Sequence, residues 1–401
     1  MNDIIPRPMY LDHVVSLLNR GMMLFLVGQR RVGKSYILMQ VANWLRENRR
    51  TANVLYINKE SKAFRHLVDS DSFYDYVAGI LPQGAENYLL VDEVQDIDNF
   101  QDALRSFYAE NLCQIVATGS NAYIFSGELA TRLSGRYIEI PVYSLSYPEF
   151  LIFNGLEDSN ESLMLYLKVG GLPGLRHFDL SNENQITDYL QGVYNTVIMQ
   201  DVITREQIRN ARFIESLTVF LSDNVGKLVS PGTIAGTMIS QGEKISNPVV
   251  SSYLKYLCNA LIVNEASRYD IHGKRILMQQ AKYYFADHGI RNMLVNFNIP
   301  GSIERILENV VYNHLRARGF TVNVGVLPTG EIDFVATRGS EKLYIQVTYI
   351  METEETRKRE IGNLLAIKDN YPKYVVSMDP VGGIVDGVKI IPLREFLTKE
   401  I

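Results

Sequence analysis

The chain has little of what marks secreted or membrane-spanning proteins: it holds only two cysteines, Cys113 and Cys258, and one tryptophan. Both cysteines lie inside apolar runs, which reads as small buried hydrophobes rather than halves of a disulfide. The longest early apolar stretch, Met22 to Val27, falls far short of the ~20 residues needed to cross a bilayer. No secretory signal pattern is visible, so a cytoplasmic protein without a membrane partner is expected. Charge of one sign is also scarce: 40 Lys and Arg against 45 Asp and Glu leave a net −5. That balance excludes an overall cationic field, and any affinity for nucleic acid must come from a local patch. Internal repeats and low-complexity tracts are lacking too. The 401 residues exceed what one hydrophobic core usually organises, and two or three domains are expected.

From Met22 to Leu145, short β-type runs alternate with helical stretches. The runs are Met22–Val27, Asn53–Asn58, Tyr88–Val94, Gln114–Ser120 and Tyr137–Leu145, after a helix over Tyr10–Asn19. Nearly continuous apolar strands separated by helices predict an α/β fold with a parallel sheet covered on both faces. Helices dominate from Pro148 to about Gln207. Helices at Phe213–Asn224, after Ser230-Pro231-Gly232 and over Pro248–Asn259, followed by runs at Leu261–Tyr269 and Lys274–Tyr284, give a winged-helix outline. A helix over Ile303–Arg318 then opens what reads as a second, independent α/β domain. Its strands are Thr321–Val326, Ile332–Thr337 and Leu343–Tyr349, followed by a helix over Glu354–Asp369 and a strand at Tyr374–Met378.

Gly28-Gln29-Arg30-Arg31-Val32-Gly33-Lys34-Ser35 fits G-x-x-x-x-G-K-[ST] between a strand and a helix. A chance match in a chain this long is expected roughly 2% of the time from average residue usage. Glycines let backbone N–H groups converge on phosphate oxygens, and the helix start adds positive charge. Lys34 is expected to reach the β- and γ-phosphates, and Ser35 to bind Mg²⁺. Residues 28–36, Tyr36 included, are thus the expected cradle of an ATP cofactor. The strand Tyr88-Leu89-Leu90-Val91 ends in Asp92-Glu93, where Asp92 is expected to support Mg²⁺ and Glu93 to polarise the attacking water. Thr118-Gly119-Ser120-Asn121 ends the next strand, and Ser120 or Asn121 is the candidate to sense the γ-phosphate or place water. Arg132 and Arg136 are candidates to stabilise charge on the transferring phosphoryl, in the same subunit or a neighbour.

These motifs, together with Leu133-Ser134-Gly135-Arg136-Tyr137, Ser146-Tyr147-Pro148-Glu149-Phe150 and Gly170-Gly171-Leu172-Pro173, resemble a bacterial and archaeal AAA-type P-loop ATPase family. Its members carry a C-terminal region called domain of unknown function 4143, and the resemblance covers nearly the whole chain. It implies an AAA-type ATPase core at residues 1–147, a helical lid at 148–207, a winged helix at 208–299 and, at 300–401, an α/β domain like the PD-(D/E)xK nucleases. In that last fold a helix and two strands supply metal-binding carboxylates, with a lysine near the attacking water. The matching positions are Glu308 on the helix, Glu331 and Asp333 on one face of a strand, and Gln346-Val347-Thr348 where E-x-K stands. An amide is a weaker ligand than a carboxylate for hard cations, and Thr348 cannot supply the lysine's charge. A degenerate, non-cleaving domain is expected, with Lys358 the substitute if the lysine has migrated.

Residues 205–282 carry ten Lys and Arg against six Asp and Glu, a local +4 inside a protein of net charge −5. DNA is therefore a candidate partner, met by the helix Pro248–Asn259 with Lys255 and by Lys274 and Arg275 on the wing. An assembly of several copies is a candidate state. The leading expectation is a hydrolase of Mg-ATP whose nucleotide state moves the later domains. The alternatives are an ATP-regulated DNA nuclease and an ATP-binding scaffold with weak turnover.

Overall fold

The computed structural model describes residues 4–121, 133, 135–208, 210–328, 330–351 and 353–399. The chain forms two compact units: residues 1–142 with 259–261, and residues 143–258 with 262–401.

The first unit is a five-stranded sheet in the order β2-β3-β4-β1-β5, where β1 is Met23–Val27, β2 Asn53–Asn58, β3 Asn87–Asp92, β4 Gln114–Gly119 and β5 Tyr137–Pro141. Every neighbouring pair is parallel. Side chains alternate across each strand. One face, with Met23, Phe25, Val27, Leu89, Val91, Ile115 and Ala117, packs on two helices, α3 (Ser70–Ile80) and α4 (Phe100–Ala109), which contribute Phe73, Val77, Leu104 and Phe107. The Phe73 and Phe107 rings meet edge to face at 5.5 Å. On β2, β3 and β4 also lies α2 (Lys34–Asn48), while α1 (Pro8–Leu17) packs against α2. The expected last strand stops at Pro141 instead of running to Leu145. Among the described residues its one neighbour is β1, which ends at Val27, and the ladder closes where the Val142 N–H reaches the Val27 carbonyl at 2.7 Å.

The second unit begins with helices α5 (Tyr147–Asn154), α6 (Asn160–Val169) and α7 (Glu183–Thr196). The Ser146-Tyr147-Pro148-Glu149 motif is a capping box, in which Glu149 accepts from the Ser146 N–H at 2.9 Å. The Gly170-Gly171 motif serves packing as well. The Gly171 N–H donates to buried Asp287 at 2.9 Å, and Asp287 also caps α11 (His288–Leu294), a helix the sequence pattern misses. Three more helices, α8 (Ala211–Asp223), α9 (Pro231–Ser240) and α10 (Asn247–Asn259), precede the hairpin β6 (Val263–Asp270) and β7 (Arg275–Phe285).

That hairpin differs from the expected free wing. β6 pairs in parallel with β8 (Thr321–Leu327), through Arg268 to Val324 and Asp270 to Val326. An eight-stranded sheet results, in the order β12-β13-β11-β10-β9-β8-β6-β7. Its remaining strands are β9 (Gly330–Arg338), β10 (Glu341–Val347), β11 (Lys373–Ser377), β12 (Gly383–Val385) and β13 (Val388–Pro392), flanked by α12 (Ile303–Ala317), α13 (Glu354–Leu365) and α14 (Leu393–Thr398). The boundary drawn at residues 299/300 therefore falls inside a continuous sheet, because β-ladder hydrogen bonds cross it. α13 ends four residues before the expected Asp369, whose carboxylate instead accepts from the Tyr344 hydroxyl at 2.6 Å. Among the described residues no helix is long and apolar enough to cross a membrane. Cys113 and Cys258 are both free thiols, pushed up to about 12 by burial.

Trp44 sits on α2 and reports on the first unit alone. Phe107→Ala removes a fully buried ring from its core and is expected to cost about 3–5 kcal/mol. The check is an earlier urea midpoint in Trp44 fluorescence.

Candidate functional site

The carboxyl ends of β1, β3 and β4 lie side by side, since Val27 registers with Gly119 and Val91 with Ala117. The loop of residues 28–33 leaves β1 there and enters α2. A Cβ on Gly28 would stand 2.2 Å from the Val142 carbonyl oxygen, so only glycine fits against the start of the segment after β5. Arg31 and Gly33 take left-handed backbone, φ +69° and +100°, and curl the loop toward the helix start. Gly33 has no side chain to cap the first N–H groups of α2, which leaves its positive end facing the loop.

Lys34, buried, donates to the Gly28 and Gln29 carbonyls at 2.9 and 3.0 Å and stands 3.9 Å from Glu93. The Ser35 hydroxyl lies near the Asp92 carboxylate and favours its charged form. Burial raises the Asp92 carboxyl above its ordinary range, while the hydrogen bonds from Thr118 and Ser35 oppose that rise. The Thr118 hydroxyl donates to Asp92 at 2.7 Å and accepts from the Glu93 N–H at 2.8 Å, clamping the acidic pair to β4. Glu93 holds left-handed backbone at φ +55°, a strained conformation for a residue with a side chain. Its carboxylate accepts from the Gln95 amide, which also reaches the Ser120 hydroxyl at 3.4 Å. Asn121 is buried next to Ser120. Of the expected cradle, Val32 is buried, Gln29 is 3% exposed and Tyr36 is 49% exposed, so the tyrosine contributes an outward face of α2.

One expected residue stands elsewhere. The Arg136 carbonyl accepts from the Met23 N–H and Tyr137 registers with Met23, which puts Arg136 at the amino-terminal edge of the sheet. The four residue steps from Met23 to Val27 separate it from the phosphate loop by roughly 13 Å. Its guanidinium lies over the Tyr108 ring at 5.2 Å. It therefore does not reach the loop of its own chain. Arg132 lies outside the described residues. Conversely, the pattern gave no reason to single out Arg7, whose guanidinium donates to the Val32 carbonyl at 2.9 Å and braces the loop from behind. Gln95 was missed as well, although it follows Glu93 by only two positions.

In the second unit, Glu308 of α12 and Asp333 of β9 come together around Lys282 of β7, at 2.8 and 3.1 Å from its ammonium. Glu331, expected beside Asp333, meets Arg268 of β6 at 3.9 Å. The Gln346 amide oxygen accepts from the Asp333 backbone N–H at 3.3 Å. Lys358 is exposed and 3.8 Å from Glu354, so it does not replace the missing lysine. Burial and then the charge of Asp333 push the Glu308 carboxyl up to about 7, with Lys282 opposing. Burial works against the Lys282 ammonium, but Glu308 and Asp333 hold it well above the ordinary lysine range.

A model described as an AAA domain matches residues 20–151, and one described as a domain of unknown function (DUF8612) matches residues 160–300. The sequence resemblance points instead to domain of unknown function 4143, which is not the description of the second match. An uncharacterized protein of Haemophilus influenzae is 35% identical over 402 residues, covering 98% of each chain. The uncharacterized protein MJ1544 of Methanocaldococcus jannaschii is 30% identical, over 85% of this chain and 78% of its own. Among solved structures, the Walker-type ATPase PABY2304 of Pyrococcus abyssi is 17% identical, with a TM-score of 0.49 over 74% of this chain and 96% of that one. The chain belongs to one family with the Haemophilus influenzae and Methanocaldococcus jannaschii proteins, and its residues 20–151 form a P-loop domain of AAA type.

Proposed function

We propose that the protein binds Mg-ATP at residues 28–35 and hydrolyses it, and that the nucleotide state moves the regions after residue 147. The observation that carries this reading is the approach of the helix start to the end of β3: Lys34 stands 3.9 Å from Glu93, and Ser35 lies near Asp92. A hydroxyl and a carboxylate near each other beside a phosphate loop suit a magnesium ion. Such an ion, when bound, neutralises charge on phosphate oxygens. The close approach of Gly28 to Val142 and the uncapped start of α2 suit the phosphates themselves.

In this reading Lys34 exchanges its loop carbonyls for β- and γ-phosphate oxygens. Glu93 takes the proton of the attacking water or orients it, and Gln95 fixes the carboxylate so that one oxygen stays aimed. Ser120 and Asn121 close the strand-end row as the candidate γ-phosphate sensors. Arg136, one strand length away, is proposed to serve the nucleotide of a neighbouring copy, which makes a homo-oligomer part of the proposal. DNA remains a candidate partner through exposed Lys255, Lys274 and Arg275. Buried Lys282 drops out of that basic count. The C-terminal region is proposed as a non-cleaving relative of the PD-(D/E)xK fold. The amide at Gln346 and the order helix, three antiparallel-paired strands, helix, parallel strand support that reading.

The test of the whole reading is phosphate release with DNA, with RNA and with neither, across a range of salt. Lys34→Ala is expected to abolish nucleotide binding in calorimetry. Glu93→Gln is expected to keep binding while turnover falls by about 10²–10⁴; equal turnover by wild type and Glu93→Gln removes Glu93 from its role. Gly28→Ala forces the loop off the Val142 carbonyl and should weaken ATP binding at least about tenfold. The Trp44 unfolding midpoint should show whether the fold survives that change.

A further inference from the structure

Lys282 and Tyr284 are two residues apart on β7 and so share one face of the strand. Both reach Glu308: the ammonium at 2.8 Å and the tyrosine hydroxyl at 2.8 Å, on the same carboxylate oxygen. Lys282 also donates to one oxygen of Asp333 at 3.1 Å, and the other oxygen accepts from the Val347 N–H at 3.0 Å. The last carboxylate oxygen, on Glu308, faces the turn after α8, where a Cβ on Gly226 would stand 2.1 Å away. Three of the four carboxylate oxygens are thus taken by protein donors and the fourth is walled by backbone. Lys282 is only 4% exposed. Two carboxylates converging on one point away from bulk solvent are stabilised by a positive charge there, which either a metal ion or an ammonium supplies.

We propose that the Lys282 ammonium is the resident cation of this cluster, standing where the Glu308–Asp333 pair would otherwise bind a divalent metal, so that the site is a latent metal centre kept closed by the chain's own side chain. The ammonium reaches in from the β6–β7 hairpin, outside the helix and strands that carry the carboxylates. One ammonium therefore offsets the charge of both carboxylates in part and fastens the hairpin to the C-terminal sheet. The inference rests on reading the C-terminal region as a non-cleaving relative of a metal nuclease, and it does not involve the ATP site.

The experiment compares Mn²⁺ binding to the full, nucleotide-free chain by calorimetry and by the electron paramagnetic resonance of free Mn²⁺. The proteins are wild type, Asp333→Asn, Lys282→Met and the double variant. Wild type and Asp333→Asn should bind Mn²⁺ alike. Lys282→Met, which keeps most of the side-chain length without the charge, should gain an ion that the double variant lacks, bound at least about tenfold more tightly than any background Mn²⁺. Should Lys282→Met fold poorly, Mn²⁺ should raise its melting temperature and leave that of wild type unchanged. Wild-type Mn²⁺ binding that Asp333→Asn abolishes overturns the proposal. It is also overturned if neither Lys282→Met nor Lys282→Gln gains an ion or is stabilised by one. Metal-dependent DNA cleavage by wild type, lost in Asp333→Asn, would instead overturn the non-cleaving reading itself.

Discussion

The first unit depends on how little room there is at the carboxyl end of β1. Gly28 lies against the Val142 carbonyl with no space for a side chain. The parallel register sets Val27 beside both Gly119 and Pro141. With both neighbours aligned, the chain must turn at residue 28. The turn delivers Lys34 and Ser35 to the row of strand ends that holds Asp92 and Glu93. A hydrophobic sheet, buried on both faces, is what makes that row rigid.

Within the row, hydrogen bonds decide how the acidic pair can act. Thr118 joins both members, to the Asp92 carboxylate and to the Glu93 backbone, so one side chain on β4 sets the direction of two on β3. Glu93 accepts left-handed backbone to turn its carboxylate toward Lys34 and Gln95. Strain of this kind persists where surrounding contacts over-determine it. Thr118 and Gln95 are those contacts.

The second unit solves its own charge problem differently. Glu308 and Asp333 are largely buried together, and the ammonium of Lys282 lies between them. Removing one partner of such a cluster leaves an uncompensated charge in a poorly polarisable interior. The β6–β7 hairpin is thereby bound to the C-terminal sheet twice, by the parallel ladder to β8 and by this ion pair.

Local rules were enough to read much of this chain. The β-type runs became β1 to β4 within a residue or two, because buried parallel strands need unbroken apolar sequence. Residues 28–35 were legible because a phosphate loop needs particular glycines at particular places. The hairpin β12–β13 was missed although Asp386-Gly387, both left-handed, is a turn signal. β12, three residues long and mostly exposed, is too short to stand out. What sequence could not decide was every relation between residues far apart in the chain: that Arg136 lies at the edge of the sheet away from the loop, that Arg7 braces Val32, and that Lys282 rather than Lys358 meets Asp333. Strand and helix periodicity depends on neighbours a few positions away and is written locally. Which strand pairs with which, and which buried charge finds which partner, is settled only when the whole sheet closes and leaves each ion one place to be neutralised.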